Sequence, residues 1–349
     1  MVQLETIRQL ARQRGLYLAG VARTSDLAAA PDLPFYNAWI EQGYHGGLAY
    51  LAGERAFMRA DLERLLPGAR SVICLALNYN TPPPYSTNLP DTTRAWISRY
   101  AWGDDYHQVL RQKLGRFLAA LRRCLGIPFE ARIAVDTSPI LERALARLAG
   151  IGWVGKNTCL INQKLGSWLF LGEVLTTLEL ELDRPAPDRC GTCARCIEAC
   201  PTGALLQPRA LDSCRCISFW TIEARGPIPE AMRPGMGRHV FGCDICQDVC
   251  PWNRKAPADA PEEFRPRPGL FNPTLEQLAR ITEDQFREMF RHSPIRRIRY
   301  RAFMRNVCTA MGNSGGPKFV PELERLASHP DPLIREHAQW ALKQLRVKD

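Results

Sequence analysis

The segment CGTCARCIEACP, from Cys190 to Pro201, contains four cysteines that are separated by two, two and three residues and followed by a proline. A second segment repeats this pattern in part. Cys216 is followed along the chain by CDICQDVCP, from Cys243 to Pro251. Each run ends with a three-residue gap, a cysteine and a proline, which is the spacing of bacterial proteins that hold two 4Fe–4S clusters.

The spacing also predicts which cysteines share a cluster. Two-residue gaps allow one tight loop to supply three thiolates to a cubane, and the last cysteine of each run binds the other cluster. The first cluster is predicted to bind Cys190, Cys193, Cys196 and Cys250, and the second is predicted to bind Cys200, Cys216, Cys243 and Cys246. The alternative is a pair of zinc sites, because Cys-x2-Cys pairs also bind zinc. Cys214 could compete with its neighbour Cys216 as a ligand.

The composition predicts a folded cytoplasmic protein. The chain has 349 residues, of which 46% are hydrophobic, and this length suffices for two or three domains. Apolar residues at helical spacing near the N-terminus predict an amphipathic helix rather than a signal peptide, and we expect no membrane span. In a reducing compartment, clustered cysteines more often bind metal than form disulfides.

Hydrophobic patterns and proline-rich breaks predict three domains. Residues 1–182 alternate short apolar strands with helical patterns, which is typical of an α/β domain. The cysteine region predicts a ferredoxin-like domain at 183–258, and residues 259–349 predict helices separated by Gly/Pro and Asp-Pro turns, as in a HEAT-type repeat. The predicted strands are 71–79, 132–136 and 168–180, and the predicted helices of the first domain include 106–125 and 139–150.

The positive charge of the chain is concentrated near its end. The formal net charge is +10, and from Arg291 onward there are 12 Lys or Arg against 5 Asp or Glu. The basic run in this region contains Arg291, Arg296, Arg297, Arg299, Arg301 and Arg305. Such a run predicts a polyanionic partner, most often nucleic acid. The alternative is a solvated helix face on a basic surface.

Two features of the first domain suggest a ligand site. Asp136 closes the apolar strand RIAV, and a carboxylate at the end of a strand in an α/β domain can face a ligand crevice. The alternative is that Asp136 caps the following helix. The loop AGIGWVGKN (149–157) has three glycines, which allow a backbone to approach a ligand closely, but it lacks the dinucleotide-binding arrangement.

Several segments together resemble those of epoxyqueuosine reductases: CPTGAL, RCISFWTIE, CDICQDVCPWN, VDTSP and AGIGWVGKN. These are cobalamin-dependent iron–sulfur enzymes of tRNA modification, and the resemblance extends from about residue 4 to the helical tail. It implies that a nitroreductase-like first domain binds cobalamin, which is reduced through the two clusters by an external flavodoxin or ferredoxin. It further implies that the tail helps to hold a tRNA anticodon stem-loop. The implied reaction converts epoxyqueuosine at the wobble position into queuosine, the last step of that pathway.

The resemblance also implies roles for individual residues. Asp136 would protonate the epoxide oxygen, and burial beside a large apolar macrocycle would raise its pKa and keep it protonated near neutrality. The implied cobalamin contacts are Arg59, Ser98, Asp136, Lys156, Asn157 and Ser218. The implied tRNA contacts are Arg296, Arg297, Arg299 and Arg301. Because the chain has no Asp-x-His-x-x-Gly motif, cobalamin is expected to bind without a histidine ligand to cobalt. We expect a monomer.

Three other functions remain open from the sequence. A reductive dehalogenase also combines cobalamin with two clusters, but a basic helical tail has no purpose in one. A ferredoxin-type electron-transfer subunit would need neither Asp136 nor a cobalamin pocket. A nucleic-acid-binding scaffold would hold redox-silent clusters.

Overall fold

The computed structural model describes residues 3–346. Its first region follows the predicted α/β pattern, and the predicted strands and the helix at 106–125 are confirmed. The strand at 18–23 and the short helices between residues 26 and 60 were not predicted. In chain order the elements are α1 (Leu4–Arg12), β1 (Leu18–Arg23), α2 (Asp26–Ala29), α3 (Asp32–Glu41), α4 (Glu54–Ala60), β2 (Ser71–Asn78), β3 (Trp96–Ile97), α5 (Tyr106–Leu125), β4 (Ala131–Ala134), α6 (Glu142–Leu148), β5 (Trp153–Val154), β6 (Leu160–Ile161) and β7 (Leu169–Thr176).

The central sheet has the strand order β1-β2-β7-β4, and every neighbouring pair is antiparallel. Apolar residues of α1 and α5 cover one face of the sheet, and those of α2 and α6 cover the other. Every residue of β2 is buried, which explains why its sequence is apolar without alternation. A ligand crevice at the ends of the strands is a feature of parallel sheets. In this antiparallel sheet, the position of Asp136 after a strand does not by itself predict a ligand site.

The first turn of helix α5 lies beside the end of strand β4. Asp105 is its N-cap and accepts a hydrogen bond from the backbone N–H of His107 (3.1 Å). The helix ends at Gly126, whose φ of 62° is the left-handed conformation that glycine adopts without strain. Across residues 3–346, no helix combines the length and the apolar character needed to cross a membrane.

The cysteine region is built from short elements. They are α7 (Arg195–Glu198), β8 (Leu205–Gln207), β9 (Ala210–Leu211), β10 (His239–Phe241) and α8 (Ile245–Asp248). Helices α7 and α8 pack against each other. Each of them leads from the third cysteine of its run to the fourth, as the spacing predicts. A π-helical turn at Phe219–Glu223 follows Cys216.

The C-terminal region is helical, and the three tail helices that the sequence predicts are confirmed. Its helices are α9 (Leu275–Arg280), α10 (Glu283–Met289), α11 (Arg299–Asn313), α12 (Val320–Ala327) and α13 (Pro332–Arg346). Helices α9 and α10 both begin with a Thr/Gln capping box. Helix α13 packs against both α11 and α12, so the tail is a layer of paired helices.

The hydrophobic cores do not follow the order of the chain. The core around α11 includes residues 95–102 and β10, and β10 pairs in parallel with β3. Conversely, Ala260 and Phe264 pack into the core beneath α5. The domain boundaries at residues 182 and 258 stay predictions, and each of these two cores contains chain from both sides of at least one of them.

Candidate active site and cluster-binding region

Asp136 lies in the loop between β4 and α6. Its φ of 45° is in the left-handed region, which few residue types other than glycine, asparagine and aspartate adopt. The N-cap of α6 is Leu141, five residues further on, so the helix-cap alternative for Asp136 is wrong. Unusual backbone conformations of this kind concentrate at functional sites, where surrounding structure holds them.

An imidazole links Asp136 to a second carboxylate. The Nε2 atom of His107 lies 2.7 Å from Oδ2 of Asp136, and its Nδ1 atom lies 2.6 Å from Oδ1 of Asp105. The His107 side chain is only 7% exposed, so the ring is held between the two acids. The guanidinium of Arg297 lies 3.7 Å from the other oxygen of Asp105, which brings the basic tail to the same place.

The pKa values of this group place the proton on the imidazole. Burial alone lowers the pKa of His107, but its hydrogen bonds and the charge of Asp136 outweigh burial, so the pKa is raised. Burial alone raises the pKa of Asp136, but the hydrogen bond and charge of His107 outweigh it, so the pKa is lowered. The rise in the pKa of Asp136 that is expected beside a bound macrocycle stays a prediction, and the residues of the chain on their own lower that pKa through His107.

A cavity of about 670 Å³ opens beside Asp136, and 46% of the Asp136 side chain is exposed although it lies deep in the protein. Aromatic side chains of α3 and the following turn form one wall, and Phe35 and Tyr50 remain 44% and 43% exposed. Arg59, a predicted cofactor contact, lines this wall and donates to the carbonyl of Tyr50 (2.9 Å). The opposite wall includes Ile140, Leu141, Glu142, Ala144, Trp153 and Val154. No histidine is among the described residues that line the cavity.

The glycines of the loop 149–157 serve the packing of the protein itself. A Cβ at Gly150, whose φ is 71°, would lie 2.8 Å from the carbonyl oxygen of Arg184. A Cβ at Gly152 would overlap the carbonyl oxygen of Ile161. The prediction that these glycines make room for a ligand is corrected at both positions, because backbone atoms of the protein fill that space.

The predicted cofactor contacts at the end of this loop touch the cysteine segments. Lys156 Nζ donates to the carbonyl oxygen of Gly191 at 2.7 Å. Asn157 Nδ2 donates to the carbonyl oxygen of Cys246 at 3.3 Å. The loop thus joins both cysteine runs to the cavity wall, while the roles of Lys156 and Asn157 as cofactor contacts stay predictions.

The structure brings together the four cysteines predicted for the first cluster, and all thirteen cysteines are free thiols. Burial raises the pKa of Cys196, and the charges of Cys190 and Cys193 raise it further. Burial likewise raises the pKa of Cys250 to about 11, with further contributions from Cys190 and Cys196. These mutual effects require the four sulfur atoms to be neighbours.

The four cysteines predicted for the second cluster also lie together, next to Asp244, which is fully buried. Burial raises the pKa of Cys243 well above its ordinary value, and Cys216 and Cys200 add to the effect. A hydrogen bond with Cys159, burial, and the charges of neighbouring thiols raise the pKa of Cys246. Within residues 3–346, no three metal-ligating side chains converge as around a single ion. A cubane holds its thiolates farther apart than a tetrahedral zinc ion does.

Two predicted cofactor contacts support the second cysteine group. Ser98 is buried, and its hydroxyl donates to Oδ1 of Asp244 at 2.5 Å. Asp244 also accepts hydrogen bonds from an indole and a backbone N–H. Burial raises the pKa of Cys216, and hydrogen bonds from the backbone of Phe219 and from Ser218 counteract part of that rise. Ser98 and Ser218 do not line the cavity in the described residues, and their contacts with a cofactor stay predictions.

The arginines of the basic run fall into two kinds. The exposed ones include Arg296, Arg297, Arg299 and Arg301. Of these, Arg301 pairs with Asp331 at 3.2 Å, and Arg297 approaches Asp105. Arg305 is fully buried and donates to three carbonyl oxygens in residues 220–226 at 2.5–2.9 Å. The expected phosphate contact of Arg305 is therefore wrong, because its guanidinium fixes α11 to the segment after Cys216.

Sequence reasoning missed several polar residues of this region. The available signal for His107 was its place in the first turn of a helix, two residues after the capping Asp105. Glu173 lies on the buried face of β7, and neither of its carboxylate oxygens has a hydrogen-bond partner. Burial raises the pKa of Glu173 well above its usual range and that of Glu142 to about 7. The sequence of a short apolar strand does not indicate that Glu173 lies close to the carboxylates of Glu142 and Asp136 in the folded protein.

Two family models match the chain. The one described as "Epoxyqueuosine reductase QueG, DUF1730" matches residues 59–137, a range that includes His107 and Asp136. The one described as "4Fe-4S double cluster binding domain" matches residues 189–253, a range that includes all eight predicted ligands.

Full-length relatives and solved structures agree with these matches. The epoxyqueuosine reductase of Salmonella typhimurium is 40% identical over 341 residues, which cover 97% of this chain and 88% of the relative. That of Escherichia coli is 37% identical over 342 residues, covering 97% and 89%. An epoxyqueuosine reductase solved with a tRNA-Tyr epoxyqueuosine-modified stem loop has a TM-score of 0.86 and 32% identity, covering 98% of this chain and 89% of that chain. The Streptococcus thermophilus enzyme has a TM-score of 0.87 and 30% identity, covering 99% and 90%.

Proposed function

The chain belongs to the epoxyqueuosine reductase family, and we propose that it reduces the epoxide of epoxyqueuosine in tRNA to the alkene of queuosine. The overall change consumes two electrons and two protons and releases water. The observation that carries the proposal is the Asp136–His107 pair at the edge of a cavity whose lining includes Trp153, which packs against Cys190 and Cys250 of the first cysteine group. A plain electron-transfer subunit would have no use for such a pair.

The eight cysteines support two 4Fe–4S clusters with the ligands that their spacing predicts. Two groups of four thiols lie within one compact region, and the match to the double-cluster family model covers both. When bound, such clusters supply a path for single electrons. Arg305 fixes the segment after Cys216 to helix α11 through the carbonyl oxygen of Trp220.

The cavity supports cobalamin as the third cofactor. Its aromatic wall leaves Phe35 and Tyr50 exposed, as expected of a surface that a large flat ligand covers. The indole Nε1 of Trp153 and one carboxylate oxygen of Glu142 lack hydrogen-bond partners there, and the amide arms of a corrin could supply them. Arg59 would hold the cofactor from the same side. When bound, cobalamin supplies reducing power at low potential to the substrate.

We assign the delivery of the proton to the substrate to Asp136. His107 supplies Asp136 with that proton. A substrate that closes the cavity removes water from Asp136 and raises its pKa, so a proton can move across the 2.7 Å hydrogen bond from His107. Asp105 holds the opposite nitrogen of the ring and stabilises the imidazolium before transfer. Because Asp136 lines the cavity, the epoxide oxygen can receive its proton where the bond breaks.

The remaining assignments follow from the substrate and the surface. The exposed arginines 296, 297, 299 and 301 would contact tRNA phosphates, and Arg297 lies nearest to the proposed chemistry. The helices α11–α13 would form the HEAT-like unit, and the first region a nitroreductase-like one. We place the reaction in the cytoplasm, where tRNA is modified, and propose a monomer that receives electrons from flavodoxin or ferredoxin.

An anaerobic assay of the reconstituted protein tests this proposal. The substrate is tRNA carrying epoxyqueuosine, with and without added cobalamin, and nucleosides are read by mass spectrometry for loss of one oxygen. The expected result is queuosine that forms only with cobalamin. No product from protein with reducible clusters and bound cobalamin would overturn the assigned substrate.

A further inference from the structure

The first cysteine group lies at the surface of the protein. Gly191 and Thr192, between its first two cysteines, are exposed, and a Cβ added at Gly191 would meet no atom within 4 Å. The second group is different, because Asp244, between Cys243 and Cys246, is fully buried. A protein partner can therefore come close to the first group at Gly191 and Thr192. At the corresponding side of the second group, the buried segment around Asp244 is not accessible to a partner.

Four cations border the first group, and we call them the cluster-one rim: Arg189, Arg195, Arg254 and Lys255. Arg189 precedes Cys190, Arg195 precedes Cys196, and the other two follow the turn after Cys250. All four are exposed. Within residues 3–346, none of these side chains forms an ion pair or a hydrogen bond.

The charges of the rim are of one sign. Asp188, the acid beside Cys190, is already paired with Arg209. Glu198 is the one acid exposed within the first cysteine run, so the four cations leave a net positive field around the first group. Unpaired charges of one sign around a site accelerate the encounter with a partner of opposite charge.

We propose that the cluster-one rim is the docking surface for an acidic protein that donates one electron at a time. The inference rests on the proposed function, because it requires the first cluster to be the entry point for electrons. In each docking event the reduced donor loses one electron and the first cluster gains it. Two events supply the two electrons that the reduction of one epoxide consumes. Electron-transfer partners bind through small, weak interfaces, which suits a rim of a few charges.

A second polyanion, tRNA, is the competing occupant. The exposed arginines 296–301 already provide a basic surface beside Asp105, next to the proposed chemistry. The rim borders a cluster rather than the cavity, so an electron donor explains its position better than RNA does. Binding of tRNA to the rim is accordingly one outcome of the test.

The test compares two charge-reversal variants of the reconstituted holoenzyme. The first is Arg195→Glu with Arg254→Glu. The control is Arg23→Glu with Arg123→Glu, which changes the net charge equally at two exposed side chains that also lack ion pairs in the described residues. The probe is a bacterial flavodoxin, whose dissociation constant and rate of cluster reduction are measured at low and high salt without tRNA. The dissociation constant of tRNA is measured separately for the same three proteins.

We expect the rim variant to bind flavodoxin at least about tenfold more weakly at low salt, with a flatter salt dependence, and the control to match the wild type. Reduction by dithionite should be equal in all three proteins, which shows that the clusters are intact. Unchanged flavodoxin binding would overturn the proposal, and weaker tRNA binding in its place would assign the rim to RNA. Failure of the epoxide assay with dithionite would instead count against the proposed function.

Discussion

The two cysteine groups come from runs that end in the same way, with a three-residue gap, a cysteine and a proline, but their surroundings differ. The first is bordered by exposed, unpaired cations, and the acid beside it, Asp188, is 46% exposed. The second is held by Asp244, which is fully buried and accepts hydrogen bonds from Ser98, Trp96 and the backbone of Arg99. One local motif thus becomes an outer and an inner cluster site because different parts of the chain pack against it.

The inner site adjoins the proposed chemistry. Burial raises the pKa of Tyr100 well above its ordinary value, and the charges of Asp136, Glu223 and Asp244 raise it further. Tyr100 therefore lies among the catalytic loop, the turn after Cys216 and the second cysteine run. Electrons that enter at the exposed group would pass through the buried group before they reach the cavity.

Replacing cluster ligands should have the largest effect. Cys190→Ser and Cys243→Ser should each abolish turnover and lose about half of the bound iron, because each removes a corner of one cubane. Cys243→Ser should also lower the thermal midpoint more, since its site is buried. Iron analysis and electron paramagnetic resonance measure both effects. Cys214→Ser is the control and should keep all its iron; iron loss there would make Cys214 a ligand in place of Cys216.

Removal of the imidazole should have the next largest effect. His107→Ala should lower kcat by about 10²-fold while both clusters remain reducible, because Asp136 loses its source of protons.

Asp105→Asn should change the pH dependence of the activity. Asp105 contributes to the raised pKa of His107, so its neutralisation lowers that pKa, and activity should fall at a lower pH on the alkaline side. An unshifted pH profile in Asp105→Asn would contradict the role given to the triad.

The two acids beside the cysteine groups offer a matched pair for stability. Asp244→Ala should lower the free energy of unfolding by about 3 kcal/mol, because it leaves buried donors unpaired. Asp188→Ala should cost less than about 1 kcal/mol, because its ion pair with Arg209 is largely exposed. Anaerobic urea denaturation measures both. Equal losses would show that the two cysteine groups do not differ in burial as described.

The smallest expected effect concerns the pH dependence of stability. Burial raises the pKa of Glu142 from 4.5 to about 7 in the folded protein. The neutral form is therefore favoured by folding, and this stabilisation should be present below pH 4.5 and lost as the pH rises toward 7. Glu142→Gln should flatten the dependence of the thermal midpoint on pH over that range. A steeper dependence in the variant would contradict the assignment.

The cysteine groups could be predicted from the sequence because their geometry is local. A two-residue gap and a short helix place successive thiolates without help from the rest of the chain. The long helices could also be predicted, since their apolar periodicity extends over many residues. The difference between the two groups could not, because it depends on Ser98 and Asp244, which are 146 residues apart.

The candidate site was predictable only in part for the same reason. Asp136 was found through a resemblance, but its partner His107 lies 29 residues away and meets it only when β4 and α5 are packed together. The lowered pKa of Asp136 in the chain alone was not predicted, because the pattern around one residue does not include a distant imidazole. Arg305 illustrates the converse, since a basic run does not reveal which of its members is buried.

A single-turnover experiment tests the central claim most directly. Wild type and Asp136→Asn are reconstituted, reduced with dithionite and mixed with tRNA carrying epoxyqueuosine, and queuosine is measured by mass spectrometry. We predict identical cluster and cobalamin spectra in the two proteins, and product only from the wild type. Formation of queuosine by Asp136→Asn at the wild-type rate would contradict the assignment of Asp136 as the proton donor.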